Sequence, residues 1–382
     1  MTNNTICKFA WSGATSTMVN TFRPCCRFPF DENNQYPTTD QVIFYGKQAF
    51  NNNFLTNLRK DMLEGIERRE CEKCYIEERS GAISMRQKGN QEFTANTDTL
   101  EFDKLEFLEI SIDNLCNLEC RMCNSRFSTK LTARDQLLNK YGLDEFSPYK
   151  VNYKTIKVME ALDLSDLKMI KLLGGEPLIS PNLLQFLDRI PFPQNVDLLI
   201  ITNATVIPPP NIIERFKEFK SVRFDFSIDG IFEYNNYQRV GSDFDNCHDN
   251  AISLSKIFPN EHTIHSVYSS LNIFGLEDST AWFLKNSPFK NSIDIVSNNI
   301  LSPFISPKWY ADAILESISR SNPNKDYMHH LFENFHDYQE SKWHRFLKFV
   351  RLTDKLYNTN IQTINPMLKK ELDKFEVNVL GA

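Results

Sequence analysis

Residues 109–127 read EISIDNLCNLECRMCNSRF. Cys116, Cys120 and Cys123 stand in this stretch at C-x3-C-x2-C, immediately after a run, FLEISID (107–113), that reads as a strand. A loop with thiolates this close together can wrap one face of a cubane iron-sulfur cluster and leave its fourth iron without a protein ligand. An open iron can bind substrate. A cluster ligated entirely by protein serves electron transfer or structure instead.

Outward from that loop, short apolar runs alternate with amphipathic segments, the pattern of βα units around a parallel sheet. The expected strands are FLEISID (107–113), LKMIKLLG (167–174), VDLLIITN (196–203), VRFDFSID (222–229), HTIHSVYSSLN (262–272) and SIDIVS (292–297). Six strands with intervening helices make a doubly wound sheet or a partial barrel, and both place ligands at the C-terminal ends of the strands. Before the strands, Phe50, Phe54, Leu55, Leu58, Met62 and Ile66 recur at three- and four-residue spacing and predict one helix over about 41–69. The polar stretch RQKGNQEFTANTDT, from Arg86, reads as a linker. After about Pro307 the strand signals stop, and SKWHRFLKFVRLTDKLY (341–357) predicts a helix.

The chain has 382 residues, 41% hydrophobic and 24% charged, a composition ordinary for a globular protein. Its net charge of -6 and scattered Lys and Arg give no footprint for non-specific nucleic-acid binding. MTNNTICKFAWSG lacks the charged and apolar regions of a secretory leader, and no stretch approaches the length of a membrane span, so a cytoplasmic protein is expected. Eight of nine cysteines lie between positions 7 and 123, and all seven histidines follow them. Local Cys/His zinc-finger spacings are therefore absent, and the crowding points to sites made of thiolates alone.

The triplet after a strand, together with KLLGGEPL (171–178), resembles the radical S-adenosylmethionine (SAM) superfamily over about residues 105–307. The resemblance implies an α/β fold: a partial (β/α)6 TIM-like barrel over 100–306, preceded by a cysteine-rich module, 1–99, and followed by a helical extension, 307–382. It implies that Cys116, Cys120 and Cys123 hold a 4Fe-4S cluster whose open iron chelates the amino and carboxylate groups of SAM, and that one electron then breaks the sulfur to C5′ bond. Gly174, Gly175, Glu176 and Pro177 match the family's GGEP motif, which binds the SAM amino group. Met122 stands where the family commonly has an aromatic residue with its backbone near the adenine. ITNAT and FSIDG put Asn203, Ser227 and Asp229 on the same rim, within reach of ribose and methionine carboxylate. Arg239 is a candidate carboxylate partner through its planar fork, and Asn272 ends the fifth strand where many members have asparagine. No catalytic residue is assigned, and Cys247 receives no role.

CKFAWSGATSTMVNTFRPCC (7–26) resembles the start of the auxiliary-cluster modules called SPASM and twitch domains, here placed before the barrel rather than after it. With the C-x2-C pair Cys71 and Cys74, Cys7 and either Cys25 or Cys26 complete a closed four-thiolate site. That spacing suits zinc or iron alike; beside a radical SAM core the expectation is an auxiliary 4Fe-4S cluster, with 2Fe-2S and zinc as alternatives. The function expected is hydrogen abstraction by a 5′-deoxyadenosyl radical from a peptide or protein, served by an electron donor such as flavodoxin or ferredoxin. A small metabolite or nucleoside is the alternative substrate, and a zinc-binding interaction protein is the non-enzymatic alternative.

Overall fold

The structure, a computed structural model, describes residues 5–16, 20–29, 35–146, 148, 153–297, 299–319 and 322–374. Seven strands form one sheet in chain order: β1 (Gly13–Ser16), β2 (Phe107–Ser111), β3 (Met169–Leu173), β4 (Asp197–Thr202), β5 (Ser221–Ser227), β6 (Thr263–Tyr268) and β7 (Lys290–Ile295). This is the α/β parallel architecture expected, with each anticipated run overlapping its strand; β5 starts one residue and β7 two residues before the expected run. The strands stop short of the motif residues, so Asp113, Gly174, Asn203, Asp229 and Asn272 all fall just beyond strand ends.

The chain folds as two compact units, Met1–Leu115 with Val151–Ile201 and Pro208–Arg223, and Cys116–Lys150 with Thr202–Ile207 and Phe224–Ala382. In the first, β1 to β4 pair in parallel register, Gly13 beside Phe107, Phe107 beside Met169 and Met169 beside Asp197. In the second, β5 to β7 do the same, Asp225 beside Thr263 and Thr263 beside Lys290. One face of β3 to β6 is apolar and buried, as at Ile170 and Leu172 of β3 or Phe224 and Phe226 of β5, whereas β7 has no fully buried residue.

The seventh strand, β1, comes from the cysteine-rich N-terminal stretch and pairs with β2. That stretch thus shares a unit with β2, β3 and β4. GATS carries too few apolar residues to announce a strand; backbone hydrogen bonding to β2 supplies what its side chains do not.

The single helix expected over 41–69 is two, Thr39–Tyr45 and Asn53–Leu63. Gly46, at φ 55°, takes a backbone conformation that side chains rarely adopt, and Asn52 caps the second helix by accepting from the Leu55 amide at 2.9 Å. Nor is the polar stretch from Arg86 a linker throughout. Met85–Glu92 is a helix, opened by a reciprocal cap between Ser84 and Gln87. It buries Gly89 against the Phe9 ring and Arg86 against Glu78, so no apolar periodicity marks it.

Helices Lys308–Ser317, Lys325–Phe335 and Glu340–Tyr357 follow β7, as expected, and pack Tyr310, Ile314, Phe332, Trp343, Phe346 and Val350 into one core. Residues 375–382 of the expected extension, and 320 and 321, lie outside the described residues. No described helix is long and apolar enough to cross a membrane.

Arg59 fastens the first unit. Fully buried, it donates to the carbonyls of Leu100 (2.6 Å), Ala10 (3.0 Å) and Phe50 (3.0 Å) and to Asn51 Oδ1 (3.1 Å). Arg59→Leu strands these acceptors, each costing about 1–3 kcal/mol when left buried and unmet. Urea unfolding is expected to show a loss of at least about 2 kcal/mol, and an unchanged midpoint would mean that water reaches the site freely.

Candidate active site

In the second unit, the loop carrying Cys116, Cys120 and Cys123 is laid along residues 237–240. Glu119 N donates to Val240 O at 2.9 Å, Arg121 N to Gln238 O at 2.8 Å and Arg121 Nε to Tyr237 O at 2.9 Å. From the other side the buried Arg134 donates to Cys120 O at 3.0 Å and Cys123 O at 2.5 Å, with Asp135 as its ion partner at 2.7 Å. Asp135 in turn accepts from Ser125 N at 2.6 Å. The loop therefore owes its shape to cations bound to its own carbonyls, and its thiols are left to point elsewhere.

Burial pushes the Cys120 and Cys123 thiols up, Cys123 to about 12, while Arg239 pulls against it at Cys120 and Arg134 at Cys123. Each of these two thiols also feels Cys116, and Cys120 feels Cys123, as neighbours disfavouring a second negative charge. Leu118 N lies 3.5 Å from Cys116 Sγ, and Asn203 Nδ2 3.9 Å from it. Three thiols within electrostatic reach of one another, amid cations and N–H donors, suit an anionic thiolate-ligated cluster, because an attached metal reverses the protonation that burial imposes. Among the described residues, no three His, Cys, Asp or Glu side chains converge on a single ion.

Gly174 and Gly175 follow β3 in the first unit. An added Cβ on Gly175 would lie 2.3 Å from Leu115 O and 2.8 Å from Asn114 C; one on Gly174 would lie 2.9 Å from Asp113 O. Gly175 N donates to Asp113 O at 2.9 Å and Glu176 N to Leu115 O at 2.7 Å. These glycines are thus demanded by the chain's own backbone at 113–115, the segment leading into Cys116. Glu176, almost fully buried, accepts from Leu178 N at 3.0 Å, and Pro177 opens the short turn that follows.

Asp229, Arg239 and Asn272 are brought together in the second unit. Arg239 pairs with Asp229 at 2.8 Å, Val267 N donates to Asp229 Oδ1 at 2.9 Å, and Asn272 Nδ2 donates to Asp229 O at 2.7 Å. Arg239 finds its carboxylate partner within the chain. Asn203 bonds Asn117 Oδ1 at 3.0 Å, and Ser227, half-buried, closes β5 beside His265. Met122 is partly buried against the core of the C-terminal helices. Cys247 is buried in the helix Phe244–Ile257.

In the first unit, Cys7, Cys25, Cys71 and Cys74 form one electrostatic group. Burial raises Cys7, Cys25 and Cys71, and neighbouring thiols add to it: Cys71 and Cys74 at Cys7, Cys7 and then Cys26 at Cys25, Cys25 and Cys74 at Cys71. Cys26 itself feels Glu109 and Lys171 rather than Cys7, Cys71 or Cys74, and lies 3.7 Å from Met85 Sδ.

The sequence reading missed polar groups on the strands of each unit. In the first unit Glu109 on β2 and Lys171 on β3 stand 3.6 Å apart; in the second, Asp225, His265 and Asp294 share a face of β5 to β7, with His265 Nε2 3.0 Å from Asp294 Oδ2. The hydrogen bond to Asp294 raises the His265 pKa. Charges at alternate positions of apolar runs were the available signal. Gly175→Ala is expected to cost roughly 1–3 kcal/mol in urea unfolding through overpacking against Leu115; an unchanged midpoint would show that residues 113–115 shift freely.

Residues 110–279 match the model of the Radical SAM superfamily. The GTP 3',8-cyclase of Campylobacter lari is 30% identical over 104 residues, 27% of this chain and 29% of that protein. That of Desulforamulus reducens is 25% identical over 130 residues, 33% and 35% respectively. The chain thus spans about a third of the length of the curated relatives it matches. Similar solved structures include anSMEcpe with bound AdoMet (17% identity, TM-score 0.37, 69% of this chain and 60% of that one). Another is Streptococcus suis SuiB bound to S-adenosylmethionine (14%, TM-score 0.34, 75% and 63%). The matched stretch holds the cysteine triplet, GGEP and the strand ends after β3 to β6, and residues 110–279 are a domain of the radical SAM enzyme superfamily.

Proposed function

We propose that the chain reductively cleaves SAM at a 4Fe-4S cluster held by Cys116, Cys120 and Cys123 and abstracts hydrogen from a substrate. The observation that carries this reading is the loop of Cys116, Cys120 and Cys123, held through the carbonyls of Cys120 and Cys123 by Arg134, whose thiols feel one another's charge and, at Cys120, that of Arg239. When bound, such a cluster supplies the electron that breaks the sulfur to C5′ bond, releasing methionine and a 5′-deoxyadenosyl radical. Arg134 and Arg239 hold positive charge beside the thiolates, and Leu118 N and Asn203 Nδ2 face Cys116 Sγ. Gly174, Gly175, Glu176 and Pro177 receive the SAM amino group, and Met122 the adenine. Asn203, Ser227, Asp229, Arg239 and Asn272 shape the rim, Asp229 and Asn272 by fixing it rather than through free polar groups.

Replacing Cys116, Cys120 and Cys123 together by Ala is expected to remove one cluster and all 5′-deoxyadenosine formation in an anaerobic assay with dithionite. Continued 5′-deoxyadenosine formation would sink the assignment.

Cys7, Cys25, Cys71 and Cys74 hold an auxiliary 4Fe-4S cluster in this reading, as in twitch and SPASM modules. Their mutual electrostatic neighbourhood supports Cys25 over Cys26 as the fourth ligand. A peptide or protein is the proposed substrate, by analogy with modules of that kind, and a cytoplasmic flavodoxin or ferredoxin the electron donor. A nucleotide is the second reading, since the curated relatives are GTP 3',8-cyclases. Wild type is expected to carry about eight irons per chain. Cys25→Ala lowers this to about half, whereas Cys26→Ala leaves it unchanged. Zinc in place of the second cluster would refute the auxiliary site and leave the triplet standing.

A further inference from the structure

Three buried arginines surround the cysteine loop, and each has a carboxylate: Arg134 with Asp135, Arg239 with Asp229, and Arg121 with Asp354. The first two pairs lie within residues 110–279. Asp354 comes from the helix Glu340–Tyr357, beyond the matched domain. Arg121 sits between two of the cysteines, its guanidinium 3.8 Å from the centre of the Tyr237 ring and 5.2 Å from that of Tyr357. It is fully buried, and its Nη1 has no hydrogen-bond partner among the described residues.

Asp354 is itself closely held. It takes Arg121 Nη2 at 3.3 Å, Tyr237 OH at 2.8 Å and Thr359 Oγ1 at 2.7 Å on one oxygen, and Ile361 N at 2.8 Å on the other. Tyr357, at the end of the same helix, donates to Glu119 Oε2 at 3.3 Å. The helix thus meets the loop on both sides of Cys120.

We propose that Asp354 is a positioning residue for the SAM-binding cluster: the C-terminal helix neutralises Arg121 and so sets the loop's net charge and the cluster's reduction potential. The inference rests on the cluster assignment above. Local charge is among the levers on iron-sulfur potentials, and a buried cation stripped of its partner acts at short range in a medium that screens poorly. An uncompensated Arg121 favours the more negative, reduced cluster and moves the potential upward.

The test is an EPR-monitored redox titration of the reconstituted full chain without SAM, following the signal that responds when SAM is later added. Asp354→Asn keeps the shape and removes the charge. At a fixed solution potential its reduced-to-oxidised ratio is expected to rise about tenfold, which is 59 mV for a one-electron couple. Thr359→Val removes a hydroxyl contact to the same guanidinium without changing charge, and is expected to leave the potential where it is. The double variant Arg121→Gln with Asp354→Asn restores the charge balance and the wild-type potential. A wild-type potential in fully iron-loaded Asp354→Asn, or equal shifts in all three variants, would overturn the proposal. If Asp354→Asn loses its iron, failure of the double variant to regain it overturns the proposal as well. A wild type in which no signal responds to SAM would contradict the cluster assignment itself.

Discussion

Buried positive charge at a loop of thiols is the constraint on which the site depends. A guanidinium taken out of water is costly unless its donors and its charge are met. Arg134 meets that demand with the carbonyls of Cys120 and Cys123 and with Asp135, and in doing so dictates the loop's path. The arrangement also suits the thiols, because cations oppose the effect of burial on their ionisation. One interaction therefore shapes the loop and conditions its chemistry.

The parallel sheet supplies the rest. Parallel strands in register within each unit end together, and Gly174, Asn203, Asp229 and Asn272 fall just beyond strand ends. Gly174 and Gly175 are the point at which the end of β3 meets the backbone entering the cysteine loop, and only glycine fits there. A motif recognisable by its glycines thus has a steric reason within the chain, besides any role toward a ligand.

The strands from β2 to β7 were legible because each is an apolar run bounded by polar turns, and the cysteine triplet because its spacing is local. What sequence could not carry was pairing at a distance. β1 is a strand only because β2 lies beside it; Met85–Glu92 is a helix whose buried face is a glycine and an arginine. The choice between Cys25 and Cys26 turns on which way two adjacent side chains point, which spacing alone does not encode. Arg121 and Asp354 lie 233 positions apart, Arg121 at an unspecified position of the cysteine triplet and Asp354 in no motif. The pairs Glu109 with Lys171 and His265 with Asp294 were hidden for the opposite reason, their charges being scattered singly through runs read as apolar.

The central claim is that Cys116, Cys120 and Cys123 leave one iron open to SAM. EPR of the anaerobically reconstituted, reduced chain measured before and after addition of SAM addresses that iron directly. The account predicts that SAM changes the cluster signal in wild type, and that the change persists when the auxiliary site is removed by Cys71→Ala with Cys74→Ala. A reduced cluster whose signal SAM leaves untouched in both proteins would contradict it.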